Sequence, residues 1–152
     1  MKRRTFLLIP LFLFCISANA QNMNAFEKHW FVYNTDTLPY RLLLPENYDA
    51  SKKYPLIFFM HGAGERGNDN ELQLVHGAKL FLKEEVRKNY PAIVVFPQCP
   101  INSFWSSLSF RADSLGKRSF VFNAANEPTI AMKMANGLLH ELIKKYPVQK
   151  KK

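Results

Sequence analysis

The chain has 152 residues, room for one domain of ordinary size and no more. Its 21 basic and 12 acidic residues give a formal charge of +9. The basic residues are scattered, with no aromatic-interleaved patch and no stripe along one helix, so no nucleic-acid partner is read from them.

Three of the positive charges open the chain. Lys2, Arg3 and Arg4 precede an apolar run from Phe6 to Ile16, and Ala18-Asn19-Ala20 then supplies small residues. This n-, h- and c-region order predicts a signal peptide over residues 1–20, cleaved before Gln21, and hence a secreted or periplasmic product. The apolar run is too short to span a bilayer, so no stable membrane anchor is expected. Residues 21–152 then keep 18 basic residues against 12 acidic. Cys15 leaves with the leader, and Cys99 is alone, which predicts no intramolecular disulfide. Nothing near Cys99 in sequence supplies a base to activate it, so it reads as a small buried residue at a strand end.

Phe26 to Tyr33 read as a first strand, Asn34-Thr35-Asp36 as a turn and Leu38 to Leu44 as a second strand, together an antiparallel hairpin. Pro39 near the start of the second strand suggests an edge, where a missing N–H is tolerated. A polar loop over 46–53 leads to the stretch on which the chain turns, Tyr54 to Gly67. Leu56 to Met60 are apolar without alternation, as expected of a central strand covered on both faces. His61-Gly62-Ala63-Gly64-Glu65-Arg66-Gly67 follows as a glycine-rich turn. Its three glycines permit positive φ and close approach to the backbone. A polar loop at the carboxyl end of a parallel strand is where open α/β sheets hold ligands.

A helix is expected next, capped by Asn68, Asp69 or Asn70, with Val75, Ala78, Leu82 and Val86 on one face. Gly77 weakens its middle and allows two shorter helices. His76 reads as a packing histidine near the apolar side, because no carboxylate or ligand spacing accompanies it. Tyr90-Pro91 ends the helix, and Ala92 to Phe96 form a second unalternating apolar strand that ends at Pro97-Gln98-Cys99-Pro100. Strand, helix and strand make a βαβ unit. Residues 101–126 read as irregular. Trp105 within them suits a pocket wall or a plug at the domain rim. The last element is a helix read as capped by Asn126, with Pro128 in its first turn and a stripe of Ile130, Met134, Leu138, Leu142 and Tyr146. Ala131, Ala135 and Leu139 widen the stripe, Lys133, Asn136, His140 and Lys144 face away, and Pro147 stops the helix.

Several segments carry a resemblance. They are Leu38-Pro39-Tyr40-Arg41-Leu42-Leu43-Leu44-Pro45, Tyr54 to Gly67, Asn68 to Leu74, Val94-Val95-Phe96-Pro97-Gln98-Cys99-Pro100 and Glu127-Pro128-Thr129. Over roughly residues 30–148 the chain resembles the amino-terminal half of the secreted α/β-hydrolases called predicted peptidases, relatives of the phospholipase/carboxylesterase and polyhydroxybutyrate-depolymerase-type esterases. The resemblance implies an α/β fold, here a partial α/β-hydrolase fold with a hairpin, a βαβ unit and a further helix. It implies that His61, Gly62, Ala63 and Gly64 form the oxyanion-hole segment, whose N–H groups face the charge of an acyl-transfer intermediate. It implies a serine nucleophile on a Gly-X-Ser-X-Gly elbow in a fifth strand, with the acid and the histidine later still. None of these three catalytic residues has a matching position up to Lys152, and His61, His76 and His140 do not stand in for them. The expectation is a fold truncated before the nucleophile strand, with Lys150-Lys151-Lys152 marking a frame error, and with the Leu56–Met60 strand left as an open apolar edge. The substrate would be a small-molecule or polymer-borne ester, or less favourably a peptide, with no cofactor and no metal. The alternative is a secreted binding or interaction module without chemistry. Glu65 and Arg66 receive no role.

Overall fold

The computed structural model describes residues 23–123 and 125–149. The expected leader at 1–20 and the terminal Lys150-Lys151-Lys152 lie outside the described residues. A four-stranded sheet carries the domain, built from β1 (Glu27–Tyr33), β2 (Asp36–Leu43), β3 (Leu56–Phe58) and β4 (Ile93–Pro97). Their spatial order is β1-β2-β4-β3. β1 and β2 pair antiparallel, from Glu27 opposite Leu42 to Tyr33 opposite Asp36. β2 and β4 are also antiparallel, whereas β3 and β4 are parallel, with Ile57 opposite Val94. The hairpin and the βαβ unit read from the sequence are both present.

Two apolar clusters lie on the two faces of the sheet. Leu38, Tyr40 and Leu42 of β2 join Ile93 and Val95 of β4 on one face, under Met134, Ala135, Leu138 and Leu142. Those four belong to α3 (Ile130–Lys145), and Ala131 is buried with them. Leu43, Val94 and Phe96 point to the other face and meet Leu74 and Ala78. β4 is buried at every position, as its unalternating sequence requires of a strand covered on both sides. Lys133, Asn136, His140 and Lys144 are exposed on the outer side of α3, as read.

The other apolar strand takes the open edge expected of a truncated fold, and not the central position that its unalternating run suggests. β3 has only three residues, all half-buried, and lies at the edge of the sheet. Met60 is 39% exposed. Its outer edge is engaged at one point. Tyr54 N–H donates to Pro147 O (2.9 Å) and Gln149 N–H donates to Tyr54 O (2.8 Å), which makes a parallel bridge between Tyr54 and Val148. An unalternating run reports burial of both faces, but it does not report what lies on either edge.

Pro39 corrects the edge reading of β2. The strand runs between β1 and β4, and Pro39 is buried. The proline is tolerated because it sits where the β4 ladder ends: its carbonyl accepts from Gln98 N–H (2.8 Å), and only the return bond is missing.

The segment between β3 and β4 is more broken than its stripe suggested. A 3-10 turn (Leu72–Leu74) is followed by α1 (Ala78–Phe81) and α2 (Glu84–Asn89). Gly77 causes the break. Its φ is +87°, and a Cβ there would lie 2.7 Å from the Phe59 ring. Val75 is consequently 57% exposed and leaves the expected stripe. His76 is also exposed, not packed, with Nε2 3.4 Å from Glu65 Oε1. Asp69 serves as a cap, accepting from Glu71 N–H (2.9 Å) and Leu72 N–H (3.1 Å). The cap of α3 is Thr129, whose Oγ1 accepts from Met132 N–H (3.1 Å); Asn126 and Pro128 precede it. Residues 101–126 are not irregular throughout. They contain an antiparallel hairpin, β5 (Leu108–Ala112) and β6 (Arg118–Phe122), closed by a turn in which Asp113 Oδ1 accepts from Leu115 and Lys117 N–H.

Gly77→Ala combines a left-handed backbone with a ring clash, and is expected to lower the unfolding free energy by about 2 kcal/mol or more. Urea unfolding reads this as a lower midpoint at constant slope. An unchanged midpoint would contradict the close approach of Phe59.

Candidate functional site

The site begins at the carboxyl end of β3, where His61 to Gly64 leave the sheet. His61 is 6% exposed, and both its ring nitrogens are engaged. Cys99 N–H can only donate, and it lies 2.9 Å from Nε2. Nε2 is therefore the acceptor, the proton is on Nδ1, and Nδ1–H donates to Gly62 O (2.6 Å). Burial is the largest influence on the ring and holds His61 below its ordinary value; the bond to Gly62 and the nearby Glu65 pull upward, and Arg66 pushes down again. His61 is thus a neutral brace between the turn and the end of β4. With the Nε2 lone pair committed, it is not placed to take a proton from a nucleophile.

Gly62 is extended (φ −77°, ψ −178°), and Ala63 to Glu65 form a single 3-10 turn. None of Gly62, Gly64 and Gly67 takes positive φ. The turn needs them for space, not for a left-handed backbone. A Cβ at Gly67 would sit 3.0 Å from Gln98 Nε2, and one at Gly62 would sit 3.1 Å from Glu65 Oε2. At Gly64 a Cβ would meet nothing within 4 Å, so that side of the turn is open. Gly62, Ala63 and Gly64 are all exposed. As first residues of a 3-10 turn, Ala63 and Gly64 carry N–H groups that the turn itself does not use. The arrangement presents two adjacent donors on a fixed backbone, which is the chemistry an oxyanion requires.

Two side chains, neither with a firm role read from the sequence, hold this backbone by its carbonyls. Arg66 Nε donates to Ala63 O (2.9 Å), Nη1 donates to Ile101 O and Ser103 O (both 3.0 Å), and the guanidinium lies 3.9 Å above the Phe104 ring. Trp105 Nε1 donates to His61 O (3.1 Å), and its ring packs edge-on to the His61 imidazole. Gln98, fully buried, ties the next loop to β4: Oε1 accepts from Asn70 N–H (2.8 Å), and Nε2 donates to Asp69 Oδ1 (2.7 Å) and Glu65 O (3.3 Å). Burial pushes the Asp69 carboxyl upward, but the bonds from Glu71 N–H, Gln98 and Leu72 N–H together hold it below its ordinary value. Beneath them Arg41, 3% exposed, donates to Asn70 O and Phe26 O and pairs with Glu71. Such long-range side-chain-to-carbonyl bonds leave no periodic trace in a sequence. Pro97-Gln98-Cys99-Pro100 was the one signal, because a polar residue between two prolines at a strand end needs a partner.

Cys99 is buried, and desolvation pushes its thiol up to about 12. It is packing material, as read.

No family model matches the chain. A solved structure described as a thermostable esterase superposes on 83% of this chain with a TM-score of 0.67 and 32% sequence identity. Probable dipeptidyl-peptidase 5 of Aspergillus niger is 39% identical over 56 residues, which is 37% of this chain and 8% of that protein. Dipeptidyl-peptidase 5 of Aspergillus fumigatus is 67% identical over 27 residues, 18% of this chain and 4% of that protein. The chain spans 32% of the esterase and less than a tenth of these curated relatives. The fold is a partial α/β-hydrolase fold, and the likenesses are to hydrolases.

Two outcomes test the site's geometry. The His61 ring is neutral when folded and titrates near 6.5 when unfolded, so the unfolded chain takes up the proton first as pH falls. Stability is thus kept above that value and lost as pH drops below it. The urea midpoint is expected to fall between pH 7.5 and pH 5.5, and this component should vanish in His61→Gln. A slope that survives the substitution would assign it to other groups. The Cys99 peptide, read by mass spectrometry, is expected to stay unalkylated in the native protein and to react on denaturation; rapid native labelling would contradict its burial.

Proposed function

We propose that this chain is the oxyanion-binding half of a serine hydrolase that acts on carboxylic esters. In this reading Ala63 and Gly64 N–H receive the oxyanion, Gly62 gives the turn its entry angle, and His61 holds it to β4. Trp105 lines the adjoining substrate space. The nucleophile, the acid and the base belong to polypeptide other than residues 23–149. The acyl group passes to a serine and then to water, and the turn stabilises each tetrahedral intermediate. Ester chemistry is favoured over peptide chemistry because the broad structural likeness is to an esterase, whereas the peptidase likenesses cover short segments. The pattern from Lys2 to Ala20 supports export, with the mature protein secreted or periplasmic.

The observation that carries the proposal is the open, braced turn: two exposed residues with unused donors, and nothing within 4 Å of where a Gly64 side chain would stand.

The turn also supplies its own test. Ala63 is the first residue of the 3-10 turn and follows an extended Gly62, so a proline fits there and removes one donor. In a titration with a methylphosphonate monoester, a tetrahedral anion, the amide protons of Ala63 and Gly64 are expected to shift together and saturate. Ala63→Pro should weaken that binding about tenfold, near 1.4 kcal/mol, the scale of one charge-assisted donor. Amides that ignore the anion would contradict the proposal. So would turnover of an activated ester by this chain alone, since it would place a nucleophile among the described residues.

A further inference from the structure

Each donor of the turn shares a peptide plane with a carbonyl that is held. In a trans peptide the carbonyl oxygen and the following N–H lie in one plane and point opposite ways, so fixing one aims the other. No cis peptide bond occurs among the described residues. Gly62 O and Ala63 N–H share one plane, and that carbonyl accepts from His61 Nδ1–H (2.6 Å). Ala63 O and Gly64 N–H share the next, and that carbonyl accepts from Arg66 Nε–H (2.9 Å). The two clamps have different supports. His61 is tied to the end of β4 by Cys99 N–H. Arg66 is tied to residues 101–104, where Nη1 donates to Ile101 O and Ser103 O and the guanidinium covers the Phe104 ring.

Residues 101–104 carry neither helix nor strand. A turn bond from Ser103 N–H to Pro100 O (3.0 Å) closes the near end of the segment. The far end is tied to α3: Thr129 Oγ1–H donates to Phe104 O at 2.6 Å, across 25 residues of chain. The same oxygen accepts from Met132 N–H (3.1 Å) as the cap of α3. A hydroxyl donates once and accepts at the same time, so one side chain makes both bonds. α3 is a firm anchor, because Met134, Leu138 and Leu142 are buried in the core on that face of the sheet. Trp105, next in the chain, packs against the same core.

We infer that Thr129 is a positioning residue of the turn. Through Phe104 and Arg66 it fixes the aim of the Gly64 N–H, whereas the Ala63 N–H is aimed by His61 from β4. The inference rests on the hydrolase reading only in calling the Gly64 N–H an oxyanion donor; the linkage stands on its own geometry. It makes the two donors unequal: one depends on the start of α3 and the other does not.

Three substitutions separate the two bonds of the hydroxyl. Thr129→Val loses both. Thr129→Asp keeps an acceptor for the cap of α3 but has no proton for Phe104 O. Thr129→Ser keeps both. Nitrogen-15 relaxation of the folded chain reads the ordering of each amide. In the unsubstituted chain Ala63 and Gly64 are expected to match β4, with order parameters of about 0.85. In Thr129→Val and Thr129→Asp the Gly64 value is expected to fall to about 0.6 while Ala63 keeps its own, and Thr129→Ser restores it. Methylphosphonate is expected to bind Thr129→Val about fivefold more weakly than the unsubstituted chain, and Thr129→Ser with about equal affinity. Gly64 unmoved in Thr129→Asp would reduce Thr129 to a helix cap and overturn the inference. So would Ala63 loosening to the same extent as Gly64. The phosphonate titration separates this linkage from the hydrolase reading. If Gly64 loosens on loss of the hydroxyl while neither amide responds to phosphonate in the unsubstituted chain, the linkage stands and the oxyanion reading falls. If phosphonate binds and the Gly64 N–H keeps its order without the hydroxyl, the linkage alone is wrong.

Discussion

One neutral imidazole sets the geometry of the site. The turn after β3 has no helix or ladder of its own to fix it, beyond a single 3-10 turn. What fixes it is the His61 ring, which spends one nitrogen on Gly62 O and the other on Cys99 N–H. A charged ring would have two donors and no acceptor, and would leave the buried Cys99 N–H facing a proton. Burial keeps the ring neutral, so the brace and its protonation state have the same cause. Arg66 and Trp105 then take the carbonyls of Ala63 and His61 from the outer side. With the carbonyls held, Ala63 and Gly64 stay exposed, with N–H groups that the 3-10 turn does not use. In the proposed role the donors would be oriented before any ligand arrives, which is where electrostatic stabilisation of a transition state is most effective.

The same turn explains the polar layer beneath it. Gln98, Asn70, Asp69 and Arg41 satisfy one another or nearby carbonyls, and they connect the 65–70 loop to β2 and β4. Truncating Gln98 would leave buried groups without partners at several points at once, so this layer acts as a unit. The other open feature is the outer edge of β3. It already carries a parallel bridge to Val148, and Leu56, Leu139 and Ile143 form an apolar groove beside it. An edge of this kind invites further strand pairing.

The legible parts of the sequence were those governed by periodicity. β1, β2, β4 and α3 were read within a few residues, because alternation, unbroken apolar runs and a four-residue stripe are direct imprints of burial. Three things were not legible in this way, each for a physical reason. The edge position of β3 was reached only through the family resemblance, because it depends on what lies beside the strand and five apolar residues say nothing of that. The break at Gly77 was foreseen as an option, but the Phe59 ring that makes it obligatory is eighteen residues away. The β5–β6 hairpin was missed because its aromatic face points outward, so its alternation lacks the buried side that a reader looks for. At the site, the His61–Gly64 segment was visible as a motif. The roles of Arg66, Gln98 and Trp105 as clamps were not, since their partners are backbone carbonyls and amides that carry no residue identity.

The claim on which all this depends is that His61 is a neutral brace with its proton on Nδ1. Long-range nitrogen–proton NMR of the imidazole tests it directly. The account predicts a protonated Nδ1 and an accepting Nε2, unchanged as the pH falls until the protein itself unfolds. A proton on Nε2, or a ring that titrates near 6.5 in the folded protein with the Cys99 amide undisturbed, would contradict it.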